Sequence, residues 1–327
     1  MVAIVKKLQI KGLFETKNIE WALNDVNVLV GKNGAGKSTI LQIIYGLLKQ
    51  DGNESIAKTE ECKLILSNDE TIEHIINKLD VDTKQILGLL RTIHGNTSKT
   101  KNLKNINKSE VKKLISLLEA KTEGKQVKEI KISTIKTSDN LKDSEKIVVE
   151  LISTVNMSAN SIYEFKKSDG EKTTILDMEI TAELERFKHL MLQHNEEFSH
   201  IQKALTETIN ELFLDCNKQV DFSDGDFSIK PISGNEKISF RILSSGERQL
   251  IYILLKAANT ALKESVLLMD EPEISLHLGW QEKLIGSIKR VNKKCQLIIV
   301  THSPAIIMKG WMDCFVDIKS IQRDIEQ

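Results

Sequence analysis

A chain of 327 residues with 40% apolar content is long enough for one large domain or two modest ones around a sizeable core. Its 46 basic residues balance 46 acidic ones, which excludes a chain-wide field drawing it to nucleic acid or an anionic membrane and makes any such preference local. No apolar run of about 18 residues is present, Met1 to Lys7 is too short and charged for a signal peptide, and Cys62, Cys216, Cys295 and Cys314 lack zinc or disulfide spacing, so a cytoplasmic protein with reduced thiols is expected.

The N-terminal pattern predicts strands over Ala3 to Ile10 and Val26 to Val30, a glycine-rich turn, and a helix from Lys37 to Leu48. From 51 to 146 the texture becomes charged, with helical periodicity over Thr71 to Leu79, Thr83 to Ile93 and Ser109 to Ala120, and it reads as an insertion. Residues 95–137 hold eleven lysines against four glutamates (11 − 4 = +7). That stretch has no aromatic side chain to stack a base and no arginine to grip phosphate, so a solvated lobe accounts for it better than a nucleic-acid surface. Strand-like segments at Ile147 to Val155, Ile162 to Phe165 and Thr173 to Leu176, around a Ser168-Asp169-Gly170 turn, suggest a small antiparallel arm. The stripe Leu184, Phe187, Met191, His194, Phe198, Ile201, Leu205 and Leu212 predicts one helix over Ala182 to Leu214, about 50 Å long. Three short strands follow, Gln219 to Phe222, Phe227 to Ile232 and Lys237 to Leu243, and the remainder alternates helix and strand in a parallel α/β pattern.

Four blocks carry chemistry. Gly31-Lys32-Asn33-Gly34-Ala35-Gly36-Lys37-Ser38 matches G-x-x-x-x-G-K-[ST] between a predicted strand and a predicted helix, the context of a phosphate-binding loop. Its backbone N–H groups, with those of the helix start at Thr39, face an anion, Lys37 reaches the β and γ phosphates, and Ser38 holds Mg²⁺. Residues 265–273 form an apolar run ending in acids, as expected of a buried strand that delivers Asp270 to a Mg²⁺ shell and Glu271 to a water attacking the γ phosphate. A second buried strand, 296–300, ends at His302, which in this company is placed to hydrogen-bond the γ phosphate. Leu243-Ser244-Ser245-Gly246-Glu247-Arg248-Gln249 has the form of a capping box, and a helix cap accounts for it. A cap does not require Gly246, however, and a helix start preceded by two serines also suits an anion.

In order and kind these blocks resemble those of ABC-class ATPases, closest to the soluble branch of RecF, SMC-type heads and the overcoming-lysogenization-defect (OLD) ATPases. The resemblance implies an α/β P-loop NTPase head of ABC type over 1–50 and 219–327, with a charged helical insertion at 51–146 and a β arm and long helix at 147–218. It implies ATP and Mg²⁺ as ligands, Lys37, Glu271 and His302 as catalytic residues, and Ser38 and Asp270 at the metal. It further implies a homodimer or higher oligomer in which Ser244, Ser245, Gly246 and Glu247 of one head complete the site built on Gly31, Asn33, Gly34, Ala35, Gly36, Lys37, Ser38 and Thr39 of another. Departures are Ser245 and Glu247 where transporters usually carry glycine and glutamine, Leu278 where relatives often have proline, and no assignable Q-loop, since Gln85 lies in the insertion. About 25 residues follow His302, too few for the metal-dependent nuclease domain of an OLD-type protein, so an effector is expected on another chain. The expectation is an ATP-driven switch or sensor in anti-phage defence or genome maintenance; a RecF-like DNA clamp and an ATP-bound scaffold with negligible turnover stand as alternatives.

Overall fold

The computed structural model describes residues 4–78, 131–138, 147–153, 165–166, 172–222, 226–234 and 236–325. The predicted helices at 83–93 and 109–120, Gln85, most of the lysine-rich stretch and the turn at 168–170 lie outside them. The chain divides into two compact units, 1–73 with 135–327, and 74–134.

The first unit is built on two sheets. An antiparallel sheet contains β1 (Val5–Leu13), β2 (Lys17–Ala22) and β4 (Glu61–Leu66), in which Cys62, Leu64 and Leu66 alternate inward. The chain leaves this unit along β5 (Thr71–Lys78) and returns along β6 (Lys131–Thr137). The second sheet is wholly parallel and contains β3 (Val26–Val30) and β7 (Val148–Ser153). A two-strand ladder, β8 (Phe165–Lys166) with β9 (Lys172–Thr173), precedes the helices, and β10 (Lys218–Asp221) pairs with β11 (Ser228–Pro231) after them. The parallel sheet is completed by β12 (Ser265–Asp270), β13 (Cys295–Val300) and β14 (Phe315–Asp317), in the order β14-β3-β13-β12-β7. β15 (Gln322–Asp324) adds to the antiparallel sheet beside β2.

The central strands are apolar throughout because both faces are covered. Val26, Val28, Leu267, Met269, Leu297 and Ile299 face one core, with helices α2 (Ile175–Gln193), α3 (Asn195–Phe213), α4 (Ser245–Asn259) and α5 (Leu278–Val291). Leu29, Val266, Leu268, Ile298 and Val300 face the other, with α1 (Lys37–Lys49) and the antiparallel sheet. Short helices α6 (Ala305–Met308) and α7 (Ile318–Ile321) close the chain's last crossovers.

The elements differ from the sequence expectation in five places. Val148–Ser153 is no arm: it is the edge strand of the parallel sheet, Glu150 standing opposite Leu267. The long helix is two helices of 19 residues that meet at His194 (φ −129°, ψ 44°), and Phe187 and Phe198 pack across the break with ring centroids 4.8 Å apart. The first of them starts at Ile175, because Thr174 and Asp177 form a capping box where a strand is expected. Lys237 to Leu243 makes one strand-like bond, Ile238 N–H to the Ile229 carbonyl, and then turns in a 3₁₀ helix over Phe240–Ile242. Thr71 to Lys78 is a strand, not a helix.

Candidate nucleotide-binding site

β3 delivers the phosphate-binding loop and α1 receives it. Gly36 is the N-cap of α1 at φ 94°, a backbone conformation that disfavours any side chain, and it supplies no side-chain cap. The first N–H groups of the helix are therefore left to a ligand, and the positive end of the helix faces the same point. Lys37 is buried and its ammonium group donates to the Gly31 carbonyl at 2.9 Å and the Lys32 carbonyl at 3.1 Å, with His302 Nε2 at 3.0 Å. Burial lowers its pKa from the ordinary lysine value, against the opposing charges of Glu271 and Asp270.

The acids arrive from β12. Ser38 donates its hydroxyl to Asp270 Oδ1 at 3.0 Å, which joins the two residues expected at a metal. Burial raises the Asp270 carboxyl above its ordinary range, Glu271 and Glu273 add to the rise, and Ser38 and Lys37 oppose it. A hard cation relieves that penalty, and a hydroxyl beside a carboxylate fits Mg²⁺. Among the described residues no cluster of three or more His, Cys, Asp or Glu is placed to hold a metal ion.

Glu271 takes a left-handed backbone (φ 49°) as its N–H donates to the Val300 carbonyl at 2.7 Å, a strained conformation for a residue with a side chain. Its Oε1 lies 3.5 Å from His302 Nε2. An ammonium group can only donate, so the contact with Lys37 presents the Nε2 lone pair and assigns the neutral ring's proton to Nδ1. Lys37, His302 and Glu271 thus form one connected group and Ser38 with Asp270 a second next to it in the chain, while Asn33 and Gly34 stand exposed at the loop tip and Thr39 follows in the first turn of α1.

The signature block lies at the start of α4. Ser244 Oγ accepts from the Glu247 N–H at 3.2 Å and Glu247 Oε2 accepts from the Ser244 N–H at 2.7 Å, the reciprocal capping box. Glu247 is buried and its other oxygen accepts from Lys218 Nζ at 2.6 Å, so both oxygens are engaged within the head. Burial pushes the Glu247 carboxyl up, but Lys218 and the Ser244 backbone outweigh it and hold it below its ordinary range. Gly246 has a packing reason of its own: a Cβ there would stand 2.4 Å from the Ser275 carbonyl oxygen. Ser244 is exposed and Ser245 half-buried, and among the described residues no hydrogen bond joins Ser244 to Glu247 with the loop at Gly31 to Thr39.

Three contributors were not foreseen from sequence. The Phe14 ring lies against Gly36, 3.1 Å from the point where a Cβ would stand, and Phe14 itself is exposed. Gln322, from β15, donates to the Ala35 carbonyl at 3.0 Å and borders a depression lined also by Gly31, Lys32 and Asp317. Glu273 is buried behind the site against Thr301 and His302. No short motif announces any of them, because each contact spans a long stretch of chain.

A parallel α/β sheet with this loop, these strand-end acids and this histidine defines an ATPase domain of the P-loop kind. The chain belongs to the family described as "AAA domain, putative AbiEii toxin, Type IV TA system", which matches residues 26–308. It is 27% identical to the Septu protein PtuA of Bacillus thuringiensis over 330 residues, spanning 93% of this chain and 73% of that protein. It is 24% identical to the spermidine/putrescine import ATP-binding protein PotA of Mycoplasmopsis synoviae, covering 92% of this chain and 60% of that one. A shorter match, 28% over 87 residues, covers 27% of this chain and 16% of the Retron Ec83 probable ATPase of Escherichia coli. Among solved structures, the chain is similar to the SMC head domain from Thermotoga maritima at 14% identity and a TM-score of 0.48, with 99% of each chain covered. No helix among the described residues is long and apolar enough to cross a membrane.

Proposed function

We propose that this protein hydrolyses ATP, and that two copies close face to face around the nucleotide to switch a separate effector. The observation that carries the reading is the meeting of Lys37, Ser38, Asp270, Glu271 and His302 from three separate segments, through the contacts Lys37–His302, His302–Glu271 and Ser38–Asp270. The loop from Gly31 to Thr39 with its Lys37 ammonium group holds the phosphates, and Phe14 offers a ring face beside the loop for the base. Ser38 and Asp270 would hold a Mg²⁺ ion, which would supply positive charge against the phosphates. Glu271 accepts a proton from water as the water oxygen bonds to the γ phosphorus and the bond to the β-phosphate oxygen breaks, leaving ADP and phosphate. His302, whose ring stands beside Lys37, is placed to hydrogen-bond the γ phosphate.

Ser244, Ser245 and Gly246 complete the site of the facing head, with Glu247 fixing their geometry through the cap and not touching nucleotide itself. The relatedness to PtuA and to a retron ATPase supports a role in anti-phage defence, with the effector on a different polypeptide. The test is the solution mass of Glu271→Gln with and without Mg-ATP, beside steady-state turnover of the unaltered protein. The expected result is turnover in the unaltered protein, none in the variant, and a doubling of the variant's mass with nucleotide. Normal hydrolysis by Glu271→Gln overturns the assignment of the base, and a mass that ignores Mg-ATP overturns nucleotide-driven pairing.

A further inference from the structure

The chain carries a second buried glutamate that the proposed chemistry does not use. Glu273 lies two residues beyond Glu271 and is 9% exposed. Its Oε1 accepts three hydrogen bonds: from the Thr301 hydroxyl at 2.6 Å, the His302 N–H at 3.0 Å and the Ser303 N–H at 3.2 Å. Its Oε2 is buried without a hydrogen-bond partner among the described residues. Burying a carboxyl with one oxygen unpartnered is costly, and the three bonds that Oε1 accepts are what offset that cost. Thr301 is fully buried and follows β13, so Glu273 acts at the point where the chain turns from the sheet toward Lys37. The 271–276 turn that carries Glu273 is packed from α4, where Gln249 Nε2 donates to the Pro272 carbonyl at 2.5 Å and Gly246 abuts Ser275.

We infer that Glu273 is a positioning residue: it holds the backbone of His302 so that the imidazole stands between Lys37 and Glu271, and the 271–276 turn and the histidine move together. This rests on the proposed hydrolysis, but the backbone part can be measured without it. Hydrogen exchange at the His302 and Ser303 amides should quicken by roughly tenfold or more in Glu273→Ala, while the amides of β13 keep their protection. Glu273→Gln retains an acceptor oxygen and should keep both amides slow. In turnover, Glu273→Ala should lower kcat by about 100-fold with ATP affinity within about threefold, and Glu273→Gln should recover most of the loss.

Unchanged exchange at His302 and Ser303 in Glu273→Ala overturns the inference whatever the turnover. Loss of protection throughout β13 with weakened ATP binding overturns it too, because the carboxylate is then a fold staple only. So does quickened exchange at the two amides with an unaltered kcat. If the unaltered protein turns over no ATP, the proposed function fails and the exchange result alone decides whether Glu273 holds His302.

Discussion

Replacing Gly246 by alanine sets two opposing effects against each other at one atom. The new Cβ would stand 2.4 Å from the Ser275 oxygen and 3.3 Å from its carbonyl carbon, both backbone atoms. Ordinary carbon–oxygen contact is about 3.3 Å, so roughly 0.9 Å must be found. Ser275 cannot give it readily, because it already sits at φ 74° in the turn between Glu271 and Leu276. Overpacking of this kind costs about 1–3 kcal/mol, and alanine recovers up to ~1 kcal/mol of helix propensity, less in the first turn. The net expectation is a loss of about 1–2 kcal/mol, read from urea unfolding of the nucleotide-free protein. Gly286, exposed on α5 with nothing within 4 Å of its Cβ position, is the control, and Gly286→Ala should gain up to ~1 kcal/mol. If Gly246→Ala were as stable as the unaltered protein, the close approach of α4 to the 271–276 turn would be refuted, and with it the packing reason for the glycine.

Lys37→Ala should abolish nucleotide binding with little change in unfolding free energy, checked by titration with a fluorescent ATP analogue, because the lysine's internal partners are two carbonyls and His302. For Glu150, burial pushes the carboxyl up, but Lys256 and Arg186 outweigh it and the folded value lies below the ordinary one. A depressed carboxylate adds stability that is full above its unfolded value of about 4.3 and is lost as pH falls through the lower folded value. Glu150→Gln should therefore flatten the acid limb of the stability curve and cost about 1–3 kcal/mol at pH 7, since Lys256 keeps Glu183 as a partner at 2.7 Å. Burial pushes the Cys62 thiol up to about 11 and the Cys295 thiol up to about 12. A thiol reagent at pH 8 should thus label Cys216 and Cys314, both half-buried, well before these two, and equal rates for all four would contradict the core placement.

The loop from Gly31 to Ser38, the acids at 270–271 and His302 were legible because each is a short contiguous motif at a strand end, where a buried apolar run gives way to polar residues. The two-core sheet was legible for the same reason at β3, β12 and β13. β7 reads as a strand in sequence, but nothing local says that its partner is β12, more than a hundred residues away, and a parallel pair leaves no turn to read. The β1–β2 hairpin escaped because Phe14 and Glu15 make its left-handed turn without the expected glycine or asparagine. The break at His194 escaped because the apolar stripe continues with the same spacing through both helices and no proline or glycine marks the interruption. Glu273 and Gln249 fall at the ends of blocks read from the sequence, but their work is done through Thr301 and Pro272, and no spacing rule connects them.

The lysine of the phosphate loop has three N–H bonds to give, and all three point at its own chain: two carbonyls of the loop and the imidazole of His302. The loop is therefore tied to the end of β13 through one side chain, and any group that takes a hydrogen bond from Lys37 does so by exchange with one of these three. Of the three, the carbonyls belong to the loop that stays, whereas His302 belongs to a different strand end that also carries Ser303 and, through its hydroxyl, Gln281 of α5. A change at Lys37 is thus felt first at one histidine, in the link between the loop and a strand two positions from the sheet's edge.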